Sequence, residues 1–296
     1  MAFGLITRNV RITLGTDKLN GVQCIEYVQR GLAAGYRSID TAPVYMNEEA
    51  IGQAIRRSSV LREQVHVTTK ISTGFKQNPS SVGEVRDLVR VSLTRLGIGY
   101  VDTVLIHHPG DNVADPGAAD RLRTTWKGLE AMVEEGQVRS IGVSNFGVSH
   151  LHKMKQYARI LPTVNQIELH PWCQRRKLVD YCKSENIPLQ AYLAIARNSR
   201  ASDQSLVALA NKYNTSTVVI LLCYSLRKGY VPIAKAQNPQ HLVSNLEAEK
   251  LCITDEDLAL MDSWDKGDEG SLGSYLDLCQ EGMLTICIVP WLMGSS

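Results

Sequence analysis

Residues 101–109, VDTVLIHHP, form a β-rich apolar run that ends on two histidines. Two further runs end the same way: VHVTTK closes on Lys70, and YRSID, which opens the stretch YRSIDTAPVYMNE at 36–48, closes on Asp40. Barrel enzymes set their chemistry at the carboxyl ends of strands, so three polar strand ends suggest an active-site rim. Tyr45 follows Asp40 by five residues. Its phenol becomes a plausible proton donor if a lysine ammonium and an imidazole lie beside it.

Outward from these runs the pattern repeats. Strand-like segments lie near 10–15, 36–40, 65–70, 101–107, 138–143, 163–168, 187–192 and 230–234. Between them, segments of helical period cover 22–34, 47–58, 80–96, 121–135, 149–158, 175–185 and 203–228. Alternation of this kind predicts βα units around a parallel sheet, and eight strands favour closure into a (β/α)8 TIM barrel. The helix over 80–96 shows the logic: Val82, Val85, Leu88, Val89, Leu93 and Leu96 recur at spacings of three and four, and Gly97 offers a C-cap. The region 203–228 is too long and apolar for one surface helix and is expected to be two packed helices. Thr254 followed by acidic residues predicts a last helix over 254–265.

The chain has 296 residues and a formal net charge of +2, with basic and acidic side chains intermingled. One large domain over 1–296 fits this length, and nothing resembles a linker. Neither nucleic acid nor a membrane is implied as a partner, which leaves small neutral or anionic molecules. The opening MAFGLITRNVRI has no long apolar stretch before a small-residue cleavage site, so a cytoplasmic, reducing location is expected. Seven scattered cysteines without a CxxC pair read as free thiols, several of them buried.

Taken singly, each candidate residue has a structural reading. Asp40 can cap a helix, Lys70 can be solvated, Tyr45 can belong to the core, and His107 can satisfy a backbone carbonyl. Taken together, Asp40 buried at a barrel mouth requires a cation, and Lys70 is the natural one. His107 would then orient a carbonyl group and lend it a hydrogen bond.

The ordered set IDTAPVYMNEEAIG, VTTK, VDTVLIHHP, IGVSNF and NQIELHP, spread over about residues 10–265, resembles the aldo-keto reductases. That resemblance implies a barrel oxidoreductase that works with NADPH or NADH on an aldehyde or ketone. It makes Asp40, Tyr45, Lys70 and His107 the catalytic group, with Tyr45 donating the proton. It also implies a cofactor site: Ser144, Asn145 and Gln166 for the carboxamide, Tyr192 stacked on nicotinamide, and Thr16 and Asp40 at the strand ends. Arg197, Lys235, His241 and Asn245 follow toward the phosphates and adenine.

Departures from the family pattern cluster at the cofactor loops and the chain ends. AYLAIARNS stands where AYSPLG is common, and IAKAQNPQHL where IPKS and an arginine are common. His241 thus replaces a guanidinium near the 2′-phosphate, which predicts NADPH over NADH by a narrow margin. Asp17 and His108 suggest a mouth polar enough for an oxygenated substrate, with a carbonyl compound of secondary metabolism as the expected class; His108 is equally readable as a rim or capping residue. The tail over 267–296 departs from the family pattern, and its run MLTICIVPWLM at 283–293 reads as a groove cover, an interface or an extension. A monomer or weak homodimer is expected. The alternative reading is a catalytically weakened barrel that serves as a binding or regulatory subunit. A metal-dependent hydrolase is disfavoured, because His107, His108 and His170 have no carboxylate cluster at metal-binding spacing.

Overall fold

The computed structural model describes residues 11–72, 79–110, 117–236 and 238–273. Within them, β1 (Thr13–Gly15), β2 (Ser38–Asp40), β3 (His66–Ile71), β4 (Val101–Ile106), β5 (Val138–Ser144), β6 (Asn165–Glu168), β7 (Leu189–Tyr192) and β8 (Val231–Ala234) follow in order. Each strand pairs in parallel with the next, and β8 returns to β1 through Thr13↔Ile233 and Leu14↔Ala234, which closes the barrel. The (β/α)8 architecture expected from the sequence is therefore present. All strand carboxyl ends point to one face, so Asp40, Lys70, His107, Ser144, Gln166 and Tyr192 share a mouth.

Several strands are shorter than the apolar runs that signal them. β7 starts at Leu189 rather than 187, with the Pro188 carbonyl just before it accepting from Asn165 N at 3.0 Å. From the N-terminal run the strand β1 is Thr13–Gly15, with Thr13 and Leu14 paired to β8 and Leu14 and Gly15 to β2.

The outer helices are α1 (Gly21–Ala34), α2 (Glu48–Arg57), α3 (Val82–Leu96), α4 (Ala118–Glu134), α5 (Val148–Met154), α6 (Arg176–Ser184), α7 (Gln204–Lys212), α8 (Thr217–Arg227), α9 (Pro239–Leu246) and α10 (Asp255–Asp262). On α3, Val85, Val89 and Leu96 are buried as the stripe predicts. Ser81 Oγ accepts from Glu84 N, and Gly97 ends the helix at φ 57°. The region 203–228 is two helices, α7 and α8, bent by 86°. No single helix among the described residues is long and apolar enough to cross a membrane, although this bent pair passes that test together. α8 is apolar because Val219 through Ser225 are buried against the barrel. Helix α9 lies outside the segments of helical period, and its start is marked by Asn238, whose Oδ1 accepts from Gln240 N at 2.9 Å. Thr254 caps α10 as expected, accepting from Asp257 N at 3.2 Å.

Neighbouring helices approach closely where glycine allows it. A Cβ on Gly52 of α2 would lie 1.7 Å from the Leu96 carbonyl oxygen at the end of α3. The apolar run at 283–293 lies outside the described residues.

Candidate active site

Parallel pairing of β2 with β3 sets Asp40 beside Thr68, and the inward pleat of β3 turns Lys70 into the barrel. Lys70 is fully buried and Asp40 nearly so. The ammonium lies 2.6 Å from Asp40 Oδ1 and donates to the Thr41 carbonyl at 3.0 Å. Its third proton faces the Tyr45 hydroxyl at 3.4 Å. Tyr45 closes a short 3-10 turn, Pro43–Tyr45, that follows β2 directly, so the five-residue offset from Asp40 folds the phenol back over the strand end. The His107 ring meets the Tyr45 ring edge-on, with centroids 6.1 Å apart. The four residues expected to act together are thus brought together.

His107 is held neutral: loss of water around the ring, and then the charges and dipoles of His108 and Lys70, push its pKa well below the usual 6.5. Its Nδ1 has no hydrogen-bond partner among the described residues. His108 stacks on it at 4.5 Å with the rings nearly parallel, and burial beside Lys70 lowers its own pKa to about 4. His108 is thus largely buried at the mouth, packed face to face on His107.

A second layer of polar groups adjoins this cluster. Gln166 Nε2 donates to Asp40 Oδ2 at 2.8 Å and to Gln190 Oε1 at 3.0 Å, which compensates the buried carboxylate. Both of its amide protons are then used, while Oε1 keeps its acceptor capacity. Ser144 Oγ donates to the Gln166 carbonyl, and Asn145 Nδ2 donates to the His107 carbonyl at 3.0 Å. Asn145 adopts φ 62°, a left-handed conformation that asparagine tolerates, and its backbone N–H bonds the Gln166 carbonyl. Tyr192 reaches across to give its hydroxyl to Asn145 Oδ1 at 2.7 Å. Thr16 Oγ1 donates to the Asp40 carbonyl at 2.8 Å and so braces the end of β2 from β1.

The family model for the aldo/keto reductase family matches residues 11–266. The chain belongs to this family. A glyoxal reductase from Bacillus subtilis is 34% identical over 256 residues, which is 86% of this chain and 88% of the relative. Among solved structures, an aldo-keto reductase from a Medee basin deep-sea metagenome library superposes with a TM-score of 0.82 at 32% identity, covering 90% of this chain and 94% of the other. An aldo-keto reductase from Bombyx mori, solved with NADP, has a TM-score of 0.75 at 32% identity, covering 86% of this chain and 89% of the other. Aldo-keto reductases are oxidoreductases that act on small carbonyl compounds and generally use NAD(P)H.

The mouth suits the nicotinamide end of such a cofactor. The half-buried ring of Tyr192 supplies a flat apolar face, and Gln166 Oε1 is an acceptor for a carboxamide N–H. The residues expected at the phosphates are spread more widely. Lys235, just past β8, donates to the Asp17 carbonyl at 2.7 Å and so bridges the β8 and β1 ends. His241 is exposed in the first turn of α9, whereas Asn245 one turn later is buried beside the Tyr36 hydroxyl. Arg197 is exposed at φ 49° in a loop where Leu193, Ala196 and Asn198 are also left-handed. Four non-glycine residues in that region mark a backbone held under strain directly after Tyr192.

Sequence reasoning missed Glu168. This carboxylate at the end of β6 is fully buried and takes hydrogen bonds from His170 and from Ser271, Leu272 and Gly273. The signal available was an acidic residue ending the apolar strand NQIE, the same placement that singled out Asp40.

Proposed function

We propose that this chain reduces an aldehyde or ketone to an alcohol, with NADPH preferred to NADH and Tyr45 as the proton donor. The observation that carries the reading is the buried Lys70 ammonium, paired with Asp40 at 2.6 Å and 3.4 Å from the Tyr45 hydroxyl. Positive charge at that distance favours a phenolate, the species Tyr45 becomes as it gives its proton to the substrate oxygen. Asp40 fixes the ammonium, and Gln166 fixes Asp40. A neutral His107 can donate one N–H to the substrate oxygen without offering a competing acidic proton. The carbonyl oxygen then sits between Tyr45 and His107 and receives its proton from Tyr45. The bound dinucleotide supplies the hydride. Tyr192, Ser144, Asn145 and Gln166 would hold its nicotinamide end, and Arg197, Lys235, His241 and Asn245 its phosphates and adenine.

The substrate class we propose is an oxygenated carbonyl of secondary metabolism, because His108 and Asp17 add polar groups at the mouth. The relative named for glyoxal adds small dicarbonyls to the candidates. We read residues 1–296 as one barrel domain that works in the cytoplasm as a monomer or weak homodimer.

The test is NADPH and NADH oxidation over a panel of aromatic aldehydes, sugar aldehydes, α-keto esters, polyketide-like ketones and glyoxal. Turnover with at least one carbonyl and faster use of NADPH is expected. A chain that binds either nucleotide without turning over any carbonyl, or binds neither, would favour the binding or regulatory reading instead.

A further inference from the structure

Glu168 lies at the carboxyl end of β6 and is completely buried. A carboxylate without water needs several donors, and this one has four. His170 Nε2 lies 3.0 Å from Oε1, so that nitrogen faces the carboxylate as a donor. The other three donors come from one tripeptide about a hundred residues further on. Leu272 N donates to Oε1 at 2.6 Å, Gly273 N to Oε2 at 2.9 Å, and Ser271 Oγ lies 2.7 Å from Oε2 and 2.6 Å from the Gly273 carbonyl, the two oxygens sharing its one proton.

The chain leading to this tripeptide is fastened along its length to the loop after β6. Trp264 stacks on Trp172 at 5.4 Å, Lys266 N donates to the Trp172 carbonyl at 3.0 Å, and Gln174 N donates to Asp265 Oδ1 at 3.2 Å. Arg175 pairs with Asp268, and a Cβ on Gly270 would sit 1.7 Å from the Trp172 oxygen. The end of this path is the active-site mouth. Glu168 and Tyr192 are register partners on β6 and β7, and a Cβ on Gly273 would lie 3.2 Å from Glu168 Oε2 and 3.5 Å from the Tyr192 hydroxyl. That hydroxyl in turn bonds Asn145, which bonds the His107 carbonyl.

We infer that Glu168 is a positioning residue of the active site: by locking Ser271–Gly273 against Tyr192, it holds the Tyr192–Asn145 pair in the arrangement that receives the nicotinamide end of the cofactor. The inference rests on the reductase reading above. Because nicotinamide is common to both nucleotides, loss of the lock weakens NADPH and NADH alike, unlike any change at the 2′-phosphate. Glu168→Gln keeps the size of the side chain but replaces a charged double acceptor with one carbonyl and one amide, which cannot serve both backbone N–H groups and Ser271.

The test uses the full chain as wild type, Glu168→Gln and Ser271→Ala. Hydrogen exchange at the Leu272 and Gly273 amides, nucleotide Kd from nicotinamide fluorescence, and kcat with KM are measured on each. For Glu168→Gln we expect both amides to exchange faster and both nucleotides to weaken by a similar factor of about ten, the scale of a lost charge-assisted bond. Ser271→Ala should move the same quantities in the same direction by about threefold, since a single neutral contact is removed. Should Glu168→Gln not fold, Ser271→Ala decides in the same way. The inference is overturned if the two amides stay as protected as in the wild type, or if they are released while both Kd values remain unchanged. Wild-type protein that reduces no carbonyl overturns the reductase reading, and this inference with it; an active wild type with unaffected variants overturns this inference alone.

Discussion

Lys70 has its ammonium wholly enclosed, with one carboxylate and one phenol in reach. Tyr45→Phe removes only the hydroxyl that faces it. Nucleotide affinity and melting temperature should therefore hold, while carbonyl reduction slows by about 10²–10⁴-fold, the usual worth of a positioned general acid. Near-full turnover by this variant in a steady-state assay would exclude Tyr45 as the donor. Lys70→Met does more, because Asp40 is left buried with Gln166 as its remaining side-chain donor. A stability loss of about 3 kcal/mol is expected in urea denaturation alongside the slower reaction, and an unchanged midpoint would mean that the pair is not coupled. Asp40, Lys70 and His107 were legible in the sequence because each interrupts an apolar run at its carboxyl end. Glu168 occupies the same kind of position, yet apart from His170 two residues on, its partners lie 103 to 105 residues away, and no local pattern signals a contact across that distance.

At the scale of elements, α2 and α3 touch through a glycine. Gly52→Ala would place a methyl 1.7 Å from the Leu96 carbonyl oxygen, which is backbone and cannot rotate away. The helices must part, and a loss of about 1–3 kcal/mol is expected from chemical denaturation; a loss below experimental error would show that the interface yields freely. Helix α9 bears on cofactor choice. His241 is exposed in its first turn, where an arginine would add a full charge and two donors. His241→Arg should tighten NADPH by about 1 kcal/mol and leave NADH nearly unchanged, and equal shifts in the two fluorescence titrations would place the residue away from the 2′-phosphate. Helix period revealed the amphipathic helices well. It did not reveal α9, whose start is marked by the Asn238 cap rather than by an apolar stripe, nor the trimmed start of β7.

For the molecule as a whole, closure of the ring was readable from eight runs of similar length, since each strand needs a neighbour on both sides. The loop after β7, with its left-handed backbone, and the docking of residues 264–273 were not, because both depend on what the finished barrel presents to them. The barrel also encloses imidazoles in a way that ties stability to acidity. Burial lowers His66 and His108 to about 4, and His107 lies well below its ordinary value. In the unfolded chain these rings take up protons near pH 6.5, whereas in the folded chain they do not. Stability is thus fully present above about pH 6.5 and falls as the pH drops toward 4, by up to about 1.4 kcal/mol per pH unit for each ring. Urea midpoints at pH 7.5, 6 and 5 should decline in that order, and a flat series would contradict neutral burial of the three rings. The stacked indoles of Trp172 and Trp264 lie 5.4 Å apart at 21°, one on the loop after β6 and the other on the stretch that leads to Glu168. Two chromophores held so close share their excited states, so the protein carries a built-in optical gauge. Near-ultraviolet circular dichroism reads, without any label, whether the stretch from Trp264 to Gly273 is seated.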